Sequence, residues 1–387
     1  MLSPTPTHAQ EIAARSITLN EAMTMALERS PRVKMADSEI MQAKAAKGEI
    51  WDGGNTHIGY AWGQINGEER GDYEFTVEQS LGSLLTPIYK NALVNTLAAT
   101  NVTKKEIVCR EVVTEVRRAW EDYLLALSVS RLSDEQKREA GRLLEIAEVR
   151  LQQGDINKLE YLMIKTSAAT LQAESQQADD DLVLATRRFA WTCFAEGSVV
   201  PSDTALAPRP FDEASEVSTI YTRLMEQEVK SKRDMLKVER SKYFPEFSFG
   251  YSLQKIAPLK GLDSWSIGVA LPLLCFPQQS RVKQAKAAVT MAQWEAENHS
   301  IELRKKLEEL KSRISQKRKR LDYYENAALS EADELQRNAL MLYRESETNA
   351  TELLQSLSAA RTVRKEYYNT LHEYNVLVIE YEALTGS

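Results

Sequence analysis

Cysteine is scarce in this chain of 387 residues, and its three cysteines, Cys109, Cys193 and Cys275, stand far apart. There is no CxxC pair and no Cys/His cluster, which argues against both a disulfide framework and a zinc site. The four histidines, His8, His57, His299 and His372, fall in no HExxH or comparable spacing and read as structural or solvent-facing. A basic excess is also missing. Lys and Arg number 49 against 56 Asp and Glu, for a formal net charge of -7, so nucleic acid is not an expected partner. No apolar run approaches the ~20 residues of a membrane-spanning helix. That excludes a helical membrane protein but not a membrane β-barrel, whose alternating strands leave little hydropathy signal. No acid, base and nucleophile converge, so no enzyme, catalytic residue, metal or cofactor is expected. Met23 and Met25 read as helix packing rather than soft-metal ligands. The glycines of Trp51-Asp52-Gly53-Gly54 read as a helix-to-strand joint and not a phosphate loop.

Proline and glycine are themselves missing from two long stretches. No proline lies between Pro87 and Pro201, or after Pro277. Between Gly82 and Gly197 there are only Gly141 and Gly154, and between Gly268 and Gly386 there is none. These stretches far exceed the mean helix of about 11 residues, and they are rich in Ala, Leu, Glu, Lys, Gln and Arg, the strong helix formers. Val112, Val116, Trp120, Tyr123 and Leu127 make one seam at three- and four-residue spacing. Leu357, Ala360, Tyr367, Leu371, Tyr374 and Val378 make another, interrupted by Arg364. Such narrow stripes pack one long helix on another, as in a coiled coil.

Where glycine and proline return, the period changes to two. Ile58, Tyr60 and Trp62 alternate with His57, Gly59, Ala61 and Gly63. After the polar turn Asn66 to Gly71, Tyr73, Phe75 and Val77 alternate with Asp72, Glu74, Thr76 and Glu78. Phe247, Phe249, Tyr251 and Leu253 alternate with Ser248, Gly250, Ser252 and Gln254. Trp265, Ile267, Val269 and Leu271 then alternate with Ser264, Ser266, Gly268 and Ala270. Each pair reads as a β-hairpin with one aromatic and aliphatic face and one small or polar face. This is the pattern of a barrel with lipid outside and water inside, and also of a soluble sheet with one buried face. On the first reading Tyr60, Trp62, Phe75, Phe247, Phe249, Tyr251, Trp265 and Ile267 face lipid.

The two halves repeat. Leu81 and Pro87 correspond to Leu271 and Pro277 at an offset of 190, and Gly154-Asp155-Ile156-Asn157 with Glu160 corresponds to Ser346-Glu347-Thr348-Asn349 with Glu352 at 192. An N-terminal arm or processing remnant is expected at 1–17. A first repeat follows at 18–200, with strands near 55–65 and 72–82 and long helices near 87–153 and 156–193. A linker is expected at 201–211. The second repeat spans 212–387, with strands near 246–256 and 263–273 and long helices near 277–345 and 349–384. From Pro87 to Gly154 is 67 residues and from Pro277 to Ser346 is 69, so at 1.5 Å per residue either helix is roughly 100 Å long. Two isolated hairpins leave sheet edges unpaired. Several chains closing one barrel remove those edges, and three chains give about twelve strands around a water-filled lumen.

Particular segments resemble the TolC-like outer-membrane efflux proteins. They are Thr18-Leu19-Asn20-Glu21-Ala22 with Ala26-Leu27 and Pro31; Arg150-Leu151-Gln152-Gln153-Gly154 with Leu159-Glu160; Phe244-Pro245-Glu246-Phe247-Ser248; Leu271-Pro272-Leu273; and Tyr374-Asn375 with Tyr381-Glu382-Ala383-Leu384-Thr385-Gly386. The resemblance runs from about residue 18 to the C-terminus, and the cation and heavy-metal efflux branch is the nearer likeness. It implies a mainly helical protein with β-structure. A homotrimer would place a twelve-stranded barrel in outer-membrane lipid and continue it as a long α-helical barrel across the periplasm. It implies an exit duct whose partners are a periplasmic adaptor and an inner-membrane transporter. The alternative is a soluble trimeric coiled-coil stalk without a transport role.

The sequence departs from that pattern at Ser346, where many members carry glycine. No charged start followed by an apolar stretch marks a signal peptide. Thr7-His8-Ala9 resembles the tail of a cleavage site, and no cysteine precedes Cys109, so lipidation is not supported. The resemblance makes the turns at Gly154 and Ser346 the periplasmic tips, where the adaptor docks and the tube narrows. Asp155, Glu160, Glu347 and Glu352 would form carboxylate rings there, flanked by Arg150, Tyr343 and Arg344 as helix-tying groups. The plainer reading makes these carboxylates solvated turn and helix-start charges.

Overall fold

The computed structural model describes residues 15–51, 54–65, 71–256, 259–271 and 276–386. The expectations placed on the chain before residue 15, on His8, Asp52 and Gly53, on the turn at 66–70, and on Pro272, Leu273 and Cys275 lie outside these residues. In chain order the elements are β1 (Arg15–Ile17), α1 (Leu19–Arg29), α2 (Pro31–Ala45), β2 (Thr56–Gly63), β3 (Asp72–Gly82), α3 (Thr86–Gln153), α4 (Lys158–Thr192), β4 (Val199–Pro201), α5 (Thr219–Ser241), β5 (Glu246–Ile256), β6 (Leu259–Ala270), α6 (Phe276–Tyr323), α7 (Leu329–Arg344) and α8 (Ala350–Thr385). No helix among the described residues is long and apolar enough to cross a membrane.

The chain forms two compact units, each drawn from both halves: Met1–Val33, Val108–Ser218 and Leu303–Ser387 in the first, and Lys34–Ile107 and Thr219–Glu302 in the second. In the first, α1 opens on a capping box. The Thr18 hydroxyl accepts the Glu21 N–H at 3.3 Å, and the Glu21 carboxylate accepts the Thr18 N–H at 2.8 Å. These bonds hold the Glu21 carboxyl below its ordinary pKa. Val112, Val116, Trp120 and Tyr123 are buried along α3, and Trp120 meets Phe189 of α4 edge-on at 5.7 Å. Leu124 is buried while Leu127 is only half-buried, so the seam turns by one position from the expected one. β1 pairs in parallel with β4, from Arg15↔Val199 to Ile17↔Pro201, a ladder of three residues too short to show a period.

The expected helix over 277–345 is interrupted. Tyr324–Ala328 form one π-helical turn between α6 and α7, whereas α3 is α-helical throughout. A π-turn takes up an additional residue without ending the helix, and the interval from Pro277 to Ser346 is longer than that from Pro87 to Gly154.

In the second unit β2, β3, β5 and β6 lie in that order in one antiparallel sheet. β6 begins at Leu259, ahead of the expected 263, because an irregularity between Gln254 and Ile256 carries the pairing on to Ile256↔Leu259. The register sets Tyr60 opposite Phe75, Phe75 opposite Leu253, Val77 opposite Tyr251, and Tyr251 opposite Trp265. Because side chains alternate, Ile58, Tyr60, Trp62, Phe75, Val77, Phe247, Phe249, Tyr251, Leu253, Trp265, Ile267 and Val269 share one face, whereas Leu262, opposite Gln254, lies on the other. On the other face Gly59 lies opposite Thr76, Gly250 opposite Ser266, and Gly268 opposite Ser248. A Cβ at Gly59 or Gly250 would stand 2.5 Å from the facing hydroxyl, so these glycines let the face close up. Elsewhere in this unit the Asp234 carboxylate is buried, accepting from the Thr96 hydroxyl and Lys237, 2.9 and 2.8 Å away.

Candidate functional site

Two helix-to-helix turns at the end of the first unit are built on one plan. At the first, Gly154 has φ +82°, its N–H donates to the Leu151 carbonyl at 3.2 Å, and the Asp155 N–H donates to the Arg150 carbonyl at 2.9 Å. At the second, Ser346 has φ +63°, its N–H donates to the Tyr343 carbonyl at 3.2 Å, and the Glu347 N–H donates to the Leu342 carbonyl at 2.9 Å. Both are Schellman endings, which satisfy the last carbonyls of a helix through a left-handed residue. The return helices start alike. The Asn157 side chain accepts the Glu160 N–H at 2.9 Å, and the Asn349 side chain accepts the Glu352 N–H at 2.9 Å. The tip is filled below by Leu143, Ala147, Ile156, Ile164, Ala339, Tyr343, Ala350, Leu353 and Leu357.

One side chain joins the two turns. Arg150 donates through Nη1 to the Tyr343 carbonyl at 2.8 Å and through Nη2 to the Ser346 hydroxyl. Its Cζ lies 5.0 Å from the centre of the Tyr343 ring. Tyr343 is 2% exposed, and among the described residues no group meets its hydroxyl in hydrogen-bond geometry, Arg150 being the nearest charged neighbour. Burial pushes the Tyr343 phenol above its ordinary pKa, with Arg150 pulling the other way and Glu160 adding to the rise. Of the expected tip groups, the structure therefore brings Arg150 and Tyr343 together. The carboxylates serve local roles: Glu160 accepts from the Asn157 amide at 3.1 Å, and Glu352 accepts from the Thr348 hydroxyl. Asp155, Glu347 and Arg344 are exposed, and among the described residues Arg344 has no hydrogen-bonding or ionic partner. Ser346, Asn157 and Asn349 gain functions that the residue types alone did not declare; the matched Asn-x-x-Glu spacing was the available signal.

Further along the same unit a second polar layer crosses between the helices. Gln336 donates to both carboxylate oxygens of Glu139, at 2.9 and 2.8 Å, and burial raises the Glu139 pKa against the pull of Arg364, Arg361 and Arg142. A third layer fastens the segment expected to be a linker. Asn375 is fully buried; its amide donates to Glu121 at 2.8 Å and to the Ala207 carbonyl at 2.9 Å, and its oxygen accepts the Arg209 N–H at 3.0 Å. Arg209 Nε closes the set on Glu121 at 2.8 Å. The Tyr374 hydroxyl donates to the Arg209 carbonyl at 3.1 Å, and that of Tyr381 to the Ser215 carbonyl at 2.8 Å. The closing stretch of α8 thus holds residues 207–215 against the bundle.

The sheet supplies the other candidate surface. Trp62 and Ile267 are 76% and 79% exposed, Tyr60, Phe249 and Trp265 are exposed, and Phe75, Phe247 and Tyr251 are half-buried on the same face. Tyr251 and Phe249 contact the Trp265 ring at 4.8 and 5.3 Å between centres. Among the described residues no three His, Cys, Asp or Glu side chains stand together as a metal site.

A duplicated set of long helices, a four-stranded sheet with one apolar face, and paired helical tips define the fold class of the TolC-like outer-membrane channels. CusC, solved in structures that follow its folding and transmembrane channel formation, is similar over 97% of this chain and 94% of its own, with a TM-score of 0.80 and 14% identity. The Campylobacter jejuni outer-membrane channel CmeC is similar over 95% of this chain and 85% of its own, with a TM-score of 0.80 and 12% identity. The Vibrio cholerae outer-membrane protein VceC is similar over 95% of this chain and 96% of its own, with a TM-score of 0.78 and 12% identity. At these identities the likeness is one of fold. The sequence matches no protein-family model and no curated protein.

Proposed function

We propose that the chain is the outer-membrane exit duct of a tripartite efflux pump, a passive conduit and not an enzyme. The observation that carries this reading is the sheet. Its register gathers most aromatic and aliphatic side chains of four strands on one face and mainly small or polar ones on the other, and β2 and β6 each keep one edge without a strand partner among the described residues. Lipid suits the first face and water the second. Three chains close about twelve strands into a barrel in the outer membrane of a Gram-negative cell, with an open lumen. The helices extend the duct through the periplasm to a periplasmic adaptor and an inner-membrane transporter, which hands over the cargo. The tips, with Arg150, Gly154, Asp155, Glu160, Tyr343, Arg344, Glu347 and Glu352, dock the adaptor and gate the pore. The fold shared with CusC, CmeC and VceC supports the same assignment.

The test is the protein mass of the membrane-extracted assembly in detergent. Chains of 43.8 kDa give ~130 kDa for three. A species of that mass that aggregates without detergent is expected; a species monodisperse without detergent overturns the barrel in favour of a stalk. For the gate, replacing Asp155 and Glu347 with alanine raises single-channel conductance if they narrow the pore. Unchanged conductance removes them from it.

A further inference from the structure

Within the first unit, α3, α4 and α8 surround a cavity of about 330 Å³. Its deepest polar group is Gln136 of α3, which is 9% exposed, lines the cavity and has no hydrogen-bond partner among the described residues. Buried amides are normally satisfied. An amide that faces an open space instead marks a place for something that is not this chain. Ser133, one turn earlier on the same face of α3, adds a hydroxyl to that wall.

The other two walls carry opposite charge. Arg361 and Lys365, one turn apart on α8, line one side, and Glu174 and Asp181, about two turns apart on α4, line the other. Among the described residues no hydrogen bond or close ion pair joins the two walls. Arg364 on the same helix, by contrast, reaches Asp333 at 2.6 Å. Arg361 is half-buried, and burial lowers its pKa against the longer-range pull of Glu174 and Glu139. This guanidinium has given up hydration without gaining an acceptor, a cost that a bound carboxylate offsets.

We propose that this cavity binds a small zwitterion of the free α-amino-acid class, with its carboxylate on Arg361 and Lys365, its ammonium on Glu174 and Asp181, and a polar side chain on Gln136. A simple anion meets Glu174 and Asp181 as like charges, and a simple cation meets Arg361 and Lys365 in the same way. A dipolar solute aligned across the gap satisfies both walls at once. The volume of about 330 Å³ lies at the small end of the range for ligand sites, about 300–1,000 Å³. The site lies within one chain and does not depend on the channel reading. It adds a ligand-binding function to the helical part of the molecule.

The experiment is equilibrium dialysis of the full chain in detergent against labelled L-glutamine, an α-amino acid whose side-chain amide matches that of Gln136. One saturable site per chain is expected. L-Glutaminamide keeps the ammonium and lacks the carboxylate, and N-acetyl-L-glutamine keeps the carboxylate and lacks the ammonium. Each is expected to compete about tenfold less well, because each forgoes the charge-assisted hydrogen bonds to one wall. Arg361→Gln should weaken L-glutamine by about tenfold and leave L-glutaminamide unchanged. Glu174→Gln should weaken L-glutamine similarly and leave N-acetyl-L-glutamine unchanged. No saturable binding to the unaltered protein up to roughly 10 mM overturns the proposal. Equal competition by all three compounds also overturns it, and that comparison needs no variant to fold.

Discussion

Arg150 is bound to Tyr343 in two ways: it donates to the Tyr343 carbonyl at 2.8 Å while its guanidinium lies 5.0 Å from the centre of that residue's ring. The carbonyl belongs to the last turn of α7, so a side chain of one hairpin completes the backbone of the other. The tie therefore joins main chain and side chain, through the Tyr343 carbonyl, the Tyr343 ring and the Ser346 hydroxyl.

Arg150→Ala should therefore loosen the tip. A hydrogen bond to a charged donor contributes about 1.5–3 kcal/mol, and partial exposure of Arg150 reduces this to about 1–2 kcal/mol. Amide exchange at residues 154–157 and 346–349 should quicken by roughly 5- to 30-fold. Exchange confined to wild-type rates would show that Arg150 carries no load.

Tyr343→Phe should be neutral or stabilising, because it deletes a buried hydroxyl that no described residue meets in hydrogen-bond geometry and leaves the carbonyl in place. The pH dependence has a sign. Burial raises the phenol pKa in the folded protein, so the tip stability that it contributes is complete below the ordinary value near 10 and is lost as pH rises through the higher folded value. Tip exchange in wild type should accelerate in that alkaline window, and in Tyr343→Phe it should not.

Asn375→Ala should cost about 2–3 kcal/mol, since it leaves the buried Glu121 carboxylate with Arg209 alone and strips the Ala207 carbonyl and the Arg209 N–H of their partner. The segment 207–215 should become sensitive to protease while the tip stays protected. Simultaneous loss of both regions would show that the layers are one cooperative unit.

Glu139→Gln should stabilise the bundle at neutral pH. Burial raises the Glu139 pKa in the folded state, so the ionised carboxyl opposes folding above that value, and the penalty disappears as pH falls below the unfolded value near 4.3. The melting temperature of the variant should exceed that of wild type at pH 7, and the two should converge towards pH 4. Equal melting at both pH values would mean that Gln336 fully compensates the charge.

Much of this fold was legible because it depends on coarse physical signals. Helices without breakers and strands with period two are dictated by where proline and glycine fall and by which face is apolar, and the cross-strand register at Tyr60, Phe75, Leu253 and Tyr251 follows the same alternation. Contacts set by side-chain reach were not legible. Arg150 reads from the sequence as a group that ties helices, but nothing in its type declares that its acceptor is the Tyr343 carbonyl, and Asn375 in a helical seam gives no sign that it will hold residues 207–209. The β1–β4 pair escaped because three residues carry no period. The tip carboxylates were ambiguous from the start: a glutamate three residues after a capping asparagine serves the helix start whether or not it also faces a pore.

The π-turn at Tyr324–Ala328 has a consequence for rotational phase. Each residue added to an α-helix rotates everything beyond it by about 100°. With 69 residues between Pro277 and Ser346 against 67 between Pro87 and Gly154, an uninterrupted second helix would turn its far end out of step with its twin. The wider turn takes up about one residue of that difference without ending the helix. A single-residue deletion within 324–328 would then leave the tip's orientation intact, whereas the same deletion in the corresponding stretch of α3 would swing Arg150 away from Tyr343.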